Sequence, residues 1–417
     1  MQTRNPIAKL CYIANYPAAR HGGAYYTAPF AIRLLRHPAD LFPEVEYVVP
    51  QSAAPEAIEA ASEGRLDDGP GKSVTLMPAP ANRMLRWLRQ WPVIWKSVAA
   101  AGLVCTSIPD EIGFLTALIC KLRCKPLLLQ VIGNWGEAVR FSRPPDFSRT
   151  LLVSIADFME HFSVPAADLV FAQGRALFEK CAHLNPRATQ SAIVASTISE
   201  EHFHRRPAAP MHRPVRLLSV SRLERGKGIH VLLEALSQLA AHGVEIELCC
   251  VGTGPERATL ESIATSRRLN VRFAGNIPFG DRLHALYRAA DIFVLPTFHE
   301  GLPYVILEAM AASLPIVSSL VGGIPHALEN GVDAILVAPG DAPALAQAIH
   351  RLIANPAHAR EMADAAFRKA ANYRLAEFSR EHRDRIEECF GPIAANLLDP
   401  ISAQHADSPR VLDEIRS

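Results

Sequence analysis

Short apolar runs alternate with segments of helical period along most of this chain, and this alternation is what most constrains its fold. A run of a few apolar residues is typical of a buried strand, and segments such as Ile112–Leu122 repeat apolar residues with helical spacing. Alternation of this kind predicts βαβ units around a parallel sheet. The strands predicted in the first half are Ala8–Ala14, Val45–Val49, Val74–Met77, Leu103–Ser107, Leu127–Ile132 and Leu169–Ala172.

A proline-rich segment divides the alternation into two halves. Residues 205–214 read RRPAAPMHRP, and prolines this close together can continue neither a helix nor a strand. The chain has 417 residues, whereas a single core usually stops growing near ~250–300 residues. We therefore predict an α/β protein with two Rossmann-like, doubly wound domains that face each other across a cleft. The predicted parts are a first domain (1–206), a linker (207–214), a second domain (215–375), a C-terminal helix that crosses back to the first domain (376–395) and a poorly ordered tail (396–417).

The second half repeats the same alternation. Its predicted strands are Val215–Val220, Ile246–Val251, Val271–Phe273, Ile292–Leu295, Ile316–Ser318 and Ile335–Val337. Its predicted helices are Ile229–Ala241, Glu256–Arg268, Asp281–Ala289, Tyr304–Ala312 and Ala342–Ala354. Ligands of doubly wound sheets bind beyond the carboxyl ends of the strands. The loops that follow strands are therefore the candidate binding segments.

The loop after Val215–Val220 carries two basic residues, Arg222 and Lys227, just before a helix. Two cations beside the free amides of a helix N-terminus suit a diphosphate. The glycines on either side of Lys227 allow tight backbone geometry. The alternative is a solvated basic turn with no ligand.

The segment HEGLPYVILE at 299–308 places Glu300 in a turn and Glu308 inside an almost wholly apolar helix. A buried carboxylate is costly unless it is paired or hydrogen-bonded. A ribose diol would give Glu308 two donors, whereas the alternative is a structural pair with a buried Arg or Lys. Glu300 could accept from sugar hydroxyls, and the amides of Gly301 and Leu302 would face an anion.

Three glycine-rich loops are weaker signals: Gly252 to Pro255, Val321 to Pro325 and His21 to Ala24. Small residues let a ligand or a partner backbone approach closely. If Gly23 opens a helix, its amide could contact a phosphate from across the cleft. Gly-rich turns are also common without any ligand.

Composition excludes several classes of protein. The net charge is +1, from 43 basic and 42 acidic residues, which gives no bulk argument for binding nucleic acid. No apolar run reaches the ~20 residues that span a bilayer, and no signal peptide is evident. The cysteines form no CxxC pair, so we expect thiols in a reducing cytosol and no metal site.

One segment offers a possible membrane contact. Residues 83–96 are basic and aromatic, and Met84, Leu88, Trp91 and Trp95 follow helical spacing. A basic amphipathic helix with Trp can lie on anionic lipid. The alternative, which we favour because Pro92 interrupts the pattern, is an ordinary helix whose apolar side faces the sheet.

Taken together, these motifs resemble the retaining glycosyltransferases of family 4, which have the GT-B fold. The similarity covers about residues 215–355 well and the first domain loosely. The motifs that carry it, in the order of the family, are Gly22-Gly23, Ser221-Arg222-Leu223 with Lys227-Gly228, Gly252-Thr253-Gly254-Pro255, Phe273-Ala274-Gly275, Ala290-Asp291-Ile292, Glu300 with Glu308, Gly322-Gly323-Ile324-Pro325 and Asn330-Gly331 through Pro339-Gly340-Asp341.

The resemblance implies a role for each matched residue. Arg222 and Lys227 would hold the diphosphate and act with Glu300 in catalysis, while Glu308 would bind the ribose. The other donor-binding residues that it implies are Gly23, Gly252, Ile277, Gly301 and Leu302. No DxD pair follows a strand, so we expect metal-independent chemistry, no prosthetic group and a nucleotide-sugar donor linked to UDP or GDP.

The chain departs from the family's pattern at two positions. His326 follows Pro325 where an acidic residue is frequent, and the other departure is at a functional position. Many members have a histidine in the first-domain loop where this chain has Ile132, and Gly133 and Asn134 are then the candidate acceptor-side residues. We predict a cytoplasmic, and potentially membrane-associated, retaining hexosyltransferase that acts on a glycan or lipid-linked acceptor in polysaccharide or glycolipid assembly. A nucleotide-sugar epimerase and a non-catalytic nucleotide-sugar-binding protein are the alternatives.

Overall fold

The computed structural model describes residues 6–27, 31–32, 35, 39–52, 65–78, 86–133, 136, 147–191, 198–206 and 210–394. The first sheet contains β1 (Lys9–Ile13), β4 (Glu44–Pro50), β5 (Lys72–Met77), β6 (Leu103–Ile108), β7 (Leu127–Val131), β8 (Leu169–Ala172) and β9 (Thr189–Ser191). The second contains β10 (Val215–Val220), β11 (Ile246–Val251), β12 (Val271–Gly275), β13 (Ile292–Leu295), β14 (Ile316–Ser319) and β15 (Ile335–Val337). A separate antiparallel hairpin joins β2 (Ala18–His21) to β3 (Ala24–Thr27).

Helices connect the strands in both halves of the chain. The described helices are α1 (Arg86–Ala100), α2 (Glu111–Arg123), α3 (Phe147–Ala166), α4 (Arg175–Leu184), α5 (Ile229–Ala241), α6 (Arg257–Ser266), α7 (Asp281–Ala289), α8 (Tyr304–Ala311), α9 (Ile324–Ala327), α10 (Ala342–Ala354), α11 (Pro356–Ala370) and α12 (Leu375–Phe390). Nearly every strand and helix predicted from the pattern ends within a residue or two of its observed bounds. The hairpin, β9, α3, α4, α9 and α11 are additional to the predicted elements.

Both sheets are parallel and doubly wound, which confirms the predicted fold class. The strand order is β5-β4-β1-β6-β7-β8-β9 in the first sheet and β12-β11-β10-β13-β14-β15 in the second. The order reverses between β1 and β6, and between β10 and β13. A crevice opens at such a reversal, beyond the carboxyl ends of the strands, and it is the usual ligand site of this architecture.

Strand residues are buried on both faces of each sheet. In β10, Leu217 belongs to an apolar cluster on one face, and its neighbour Leu218 belongs to the cluster on the other. In β6, Val104 and Cys105 divide in the same way. Helices on both faces exclude water, so the strands read as continuous apolar runs rather than as alternating ones.

Helix α12 lies against the first sheet, although it follows the second domain in sequence. Ile386 shares an apolar cluster with Phe171 of β8. The fully buried imidazole of His382 lies edge-on to Phe171, with ring centroids 3.8 Å apart, and burial lowers its pKa to about 3. Beyond the helix, the backbone N–H of Ile7 donates to the carbonyl oxygen of Pro392 at 2.9 Å.

The segment around Pro92 forms the ordinary helix that the sequence favoured, with its apolar side against the first sheet. Helix α1 continues from Arg86 to Ala100 through Pro92, and Pro92 itself is exposed to solvent. Ile94 and Val98 are fully buried on the side of the helix that packs on the first sheet. Leu88 is 72% exposed, and residues 83–85 of the proposed membrane segment lie outside the described residues. Among the helices that the structure describes, none is long and apolar enough to cross a membrane.

Candidate active site

The loops after β10 and β13 are hydrogen-bonded to each other. The carbonyl oxygen of Gly226 accepts from the backbone N–H of Phe298 at 2.9 Å and from the hydroxyl of Thr297 at 3.2 Å. Gly228 has a φ of +71°, and a Cβ there would lie 1.9 Å from the carbonyl oxygen of Pro296. Only glycine therefore fits between the two loops, and the backbone on both sides of Lys227 is fixed.

This packing brings Lys227 and Glu300 together. The ammonium Nζ of Lys227 donates to Oε1 of Glu300, and each side chain is only 17% exposed. The two residues are 73 positions apart in the sequence. A cation and a carboxylate that were predicted for separate roles are thus in direct contact at the strand-order reversal.

Arg222 does not join this pair. Its guanidinium forms an ion pair with Oε1 of Glu224 at 2.6 Å, and its side chain is 76% exposed. An exposed pair of long side chains contributes little stability, typically ~0–1 kcal/mol. The guanidinium can therefore leave Glu224 for another anion at little cost.

Glu308 is buried in helix α8, with only 5% of its surface exposed. The hydroxyl of Tyr287, on α7, donates to its Oε2 at 2.8 Å. Sequence reasoning predicted the burial of this carboxylate but missed Tyr287, which no local pattern singles out. Pro303, with an extended backbone, is the N-cap of α8.

The glycines of the other strand-end loops accommodate neighbouring backbone. A Cβ on Gly252 would lie 1.9 Å from the carbonyl oxygen of Ser221, and one on Gly322 would lie 1.7 Å from that of Glu300. A Cβ on Gly323 would lie 2.4 Å from the carbonyl oxygen of Gly301, to which the N–H of Gly323 donates at 2.6 Å. At these three glycines the backbone of a neighbouring loop approaches closely.

Gln173, which sequence reasoning also missed, links the first domain to this loop. It follows β8, and its side-chain Nε2 donates to the carbonyl oxygen of Leu302 at 3.0 Å. A Cβ on Gly301 would come within 3.7 Å of the Gln173 side chain and 3.6 Å of the carbonyl oxygen of Ile132. The predicted donor-contact residues Gly301 and Leu302 therefore lie at the junction of the two domains.

In the first domain, the helix start expected at Gly23 is absent. No helix begins at Gly23, because Gly22 and Gly23 form the turn of the β2–β3 hairpin, in which His21 pairs with Ala24. That expectation is wrong, since both glycines have the positive φ that a tight hairpin requires.

The remaining candidates lie near strand ends. Gly133 follows β7 and lies beside Pro109. Asn134 lies outside the described residues. Ile277, between β12 and α7, is half-buried against the apolar cluster on one face of the second sheet.

The thiols form no metal site in the described part of the chain. No group of three or more His, Cys, Asp or Glu side chains that could hold a metal ion occurs there. Cys120 is buried and Cys124 is exposed, and burial raises the pKa of Cys120 to about 12. A buried thiol whose pKa is raised in this way is a poor nucleophile.

Comparison with known proteins identifies the second half of the chain. Residues 200–369 match the profile of the family described as Glycosyl transferases group 1. This part of the chain is therefore similar to the group 1 glycosyltransferases. The matched region contains Arg222, Lys227, Glu300 and Glu308.

Two curated relatives of this chain are named for polysaccharide biosynthesis. The putative colanic acid biosynthesis glycosyltransferase WcaL of Escherichia coli is 30% identical over 213 residues, which are 49% of this chain and 48% of that protein. The amylovoran biosynthesis glycosyltransferase AmsK of Erwinia amylovora is 35% identical over 168 residues, which are 38% of this chain and 41% of that protein. The chain thus spans less than half the length of these relatives.

Solved glycosyltransferase structures share the fold over both domains. Anabaena Alr3699/HepE in complex with UDP-glucose superposes with a TM-score of 0.70 at 17% identity, covering 91% of this chain and 99% of that one. Sucrose-phosphate synthase from Thermosynechococcus elongatus superposes with a TM-score of 0.66 at 20% identity, covering 92% and 99%. The chain therefore has the GT-B fold.

Proposed function

We propose that this protein is a retaining glycosyltransferase that moves a hexose-type sugar from a nucleoside-diphosphate sugar to an acceptor hydroxyl. The observation that carries the proposal is the contact between Lys227 and Glu300. One is a cation and the other a carboxylate. They meet beyond the ends of the adjacent parallel strands β10 and β13, between which the strand order reverses. A polar pair at this point suits a ligand that has both a diphosphate and a sugar.

The chemistry needs positive charge at the leaving group. Breaking a glycosyl–diphosphate bond develops negative charge on the diphosphate, and preorganised cations stabilise that charge more in the transition state than in the ground state. In our proposal, Lys227 and Arg222 supply these cations, and the amides of Gly301 and Leu302 add hydrogen-bond donors. Each charge-assisted contact could contribute roughly 1.5–3 kcal/mol.

The two glutamates would hold the two sugars of the donor. Glu300 lies in the turn, where it would bind the transferred sugar and support the reaction centre. Glu308 would accept from the ribose hydroxyls. We further propose that Gly23 and Gly252 contact the donor and that the backbone of Ile277 contacts the base.

The acceptor would enter from the side of the first domain. We propose Gly133 and Asn134 as its neighbours, because Gly133 follows β7 and the adjacent Ile132 carbonyl lies near Gly301. Because Lys227 and Arg222 would stabilise the negative charge on the diphosphate, we expect turnover without added metal and without a prosthetic group.

The relatives suggest a biological role. WcaL and AmsK are named for the biosynthesis of colanic acid and amylovoran, which supports a role in exopolysaccharide or glycolipid assembly. We propose a cytoplasmic location, because all eight cysteines are free and thiols persist in a reducing compartment. A glycan or lipid-linked acceptor is the corresponding partner.

A thermal-shift panel of UDP-, GDP- and ADP-sugars tests donor binding. HepE was crystallised with UDP-glucose, which makes that sugar the first to try. A ligand at ~100 times its dissociation constant stabilises a protein by about 2.7 kcal/mol, which is readily measured. No shift with any nucleotide sugar would contradict the proposal.

Product analysis then separates the reaction classes. A transferase releases the nucleoside diphosphate and lengthens an acceptor, or slowly hydrolyses the donor without one. An epimerase would return an isomerised nucleotide sugar, and a binding protein would return the donor unchanged. Retention would appear in the anomeric configuration of the product, which nuclear magnetic resonance reads directly.

A further inference from the structure

The hydrogen bond from Tyr287 to Glu308 suggests how the proposed donor site recognises the ribose. The hydroxyl of Tyr287 donates to Oε2 of Glu308 at 2.8 Å, inside an apolar layer between α7 and α8. We infer that Tyr287 is a positioning residue that orients the Glu308 carboxylate towards a ribose diol, so that the site selects ribonucleotides over nucleotides without ribose hydroxyls. This inference rests on the proposed function, because it deepens the role of Glu308 in donor binding.

Tyr287 is held rigidly enough to fix its partner. Its side chain is 1% exposed, and its ring packs against Phe293 of β13 with centroids 5.7 Å apart. Helix α7 precedes β13 and helix α8 follows it, so the phenol and the carboxylate approach each other on one face of that strand. A donor fixed by packing sets the rotation of the carboxylate, which is otherwise broadly free about its terminal bond.

The buried setting makes this orientation matter. Glu308 lies among Ile306, Leu307, Ala309 and Met310, which are all fully buried. In such surroundings a carboxyl group needs hydrogen-bond partners, and the phenol of Tyr287 supplies one of them. A diol presents two further donors at a fixed spacing. A carboxylate in the wrong rotation could meet one of them but not both.

The ligand class follows from this geometry. A site that is built to hydrogen-bond a hydroxyl rejects an analogue without it, because its buried polar group then loses a partner. We therefore expect the wild-type protein to bind UDP or GDP at least about tenfold more tightly than the 2′,3′-dideoxy counterpart, which corresponds to about 1.4 kcal/mol.

Isothermal calorimetry of the full chain with these four nucleotides tests the inference. Tyr287→Phe removes the hydroxyl and keeps the ring, so the fold should survive. We expect the variant to bind the ribonucleotide about tenfold more weakly and the dideoxynucleotide with unchanged affinity. Glu308→Gln should lose the same discrimination, and the double variant should lose little more than either single one.

Tyr47→Phe is the matched control, since Tyr47 is a fully buried tyrosine in the first sheet. It should leave both affinities unchanged. If Tyr287→Phe weakened both nucleotides equally, or weakened neither, the positioning role would be overturned. A wild-type protein that bound ribo- and dideoxynucleotides equally would overturn the inference and the ribose role of Glu308, but would leave the proposed glycosyl transfer standing. A wild-type protein that bound no nucleotide would overturn both.

Discussion

The ammonium of Lys227 and the carboxylate of Glu300 form an ion pair that joins the loops of two adjacent strands, β10 and β13. Both side chains are largely buried, so the pair is less screened than a surface pair. A diphosphate that binds Lys227 must compete with Glu300 for it. The pair therefore couples donor binding to the freedom of the carboxylate that we place at the reaction centre.

Replacing Lys227 with alanine should reduce turnover by about 10²-fold or more, as the loss of one transition-state donor typically does. The measurement is the rate of nucleoside-diphosphate release at saturating donor. Lys227→Arg keeps the charge and should recover part of the rate. An unchanged rate in Lys227→Ala would refute the proposed diphosphate contact.

Replacing Glu300 with glutamine should separate binding from turnover. The neutral amide pairs more weakly with Lys227, so the affinity for a nucleoside diphosphate should rise by about three- to tenfold. Turnover should fall by about 10²-fold, because the reaction centre loses its carboxylate. Calorimetry gives the first quantity and product release the second. Weaker diphosphate binding in this variant would show that Glu300 does not compete for Lys227.

Replacing Arg222 with alanine should reduce turnover by about 10²-fold while the melting temperature stays constant, because its ion pair with Glu224 is exposed. Glu224→Gln is the matched control. It releases the guanidinium from its present partner and should keep full turnover. If Glu224→Gln were as slow as Arg222→Ala, the effect would belong to the loop rather than to a phosphate contact.

Replacing Gly322 with alanine should impair the site more than the fold. The new Cβ would lie 1.7 Å from the carbonyl oxygen of Glu300, so the turn that carries Glu300 has to move. Gly331→Ala is the control, since Gly331 also has a positive φ but no atom within 4 Å of a Cβ. Both variants should lose ~1–2 kcal/mol of stability through left-handed backbone strain, and Gly322→Ala should lose more because of the clash. Only Gly322→Ala should lose turnover, by about tenfold or more.

The stability of the protein should decrease in acid partly through His382. Burial lowers the pKa of its imidazole to about 3, whereas an unfolded histidine has a pKa near 6.5. Between these values the unfolded chain binds a proton that the folded chain does not, so stability falls as the pH drops below about 6.5. The slope contributed by this residue is up to about 1.4 kcal/mol per pH unit.

The melting temperature between pH 7 and pH 5 measures this effect. His382→Gln removes the titrating group, so its melting temperature should fall less over that range than that of the wild type. His242→Gln is the control, because His242 is exposed and contacts the carbonyl oxygen four residues earlier, as His382 does. Parallel curves for His382→Gln and the wild type would argue against the proton linkage.

Local patterns predicted much of the fold. The apolar runs gave β10, β11, β13 and β15 with their observed bounds, because strands buried on both faces leave a continuous apolar signature. Pro92 interrupts the apolar pattern of α1 without ending the helix, whose apolar side packs on the first sheet as the sequence favoured. Gly23 misled the prediction, because a glycine pair with positive φ serves a hairpin as readily as a helix start.

The sequence by itself determined that the chain forms two doubly wound sheets and that Arg222, Lys227 and Glu300 follow strand ends. Both results depend on apolar runs and helical periodicity, which are patterns of residues close together in the sequence. Tertiary structure alone decided which side chains meet. Lys227 with Glu300, Tyr287 with Glu308 and Gln173 with Leu302 are 73, 21 and 129 positions apart. Such contacts depend on strand order and on how helices and domains pack, and no local pattern specifies these.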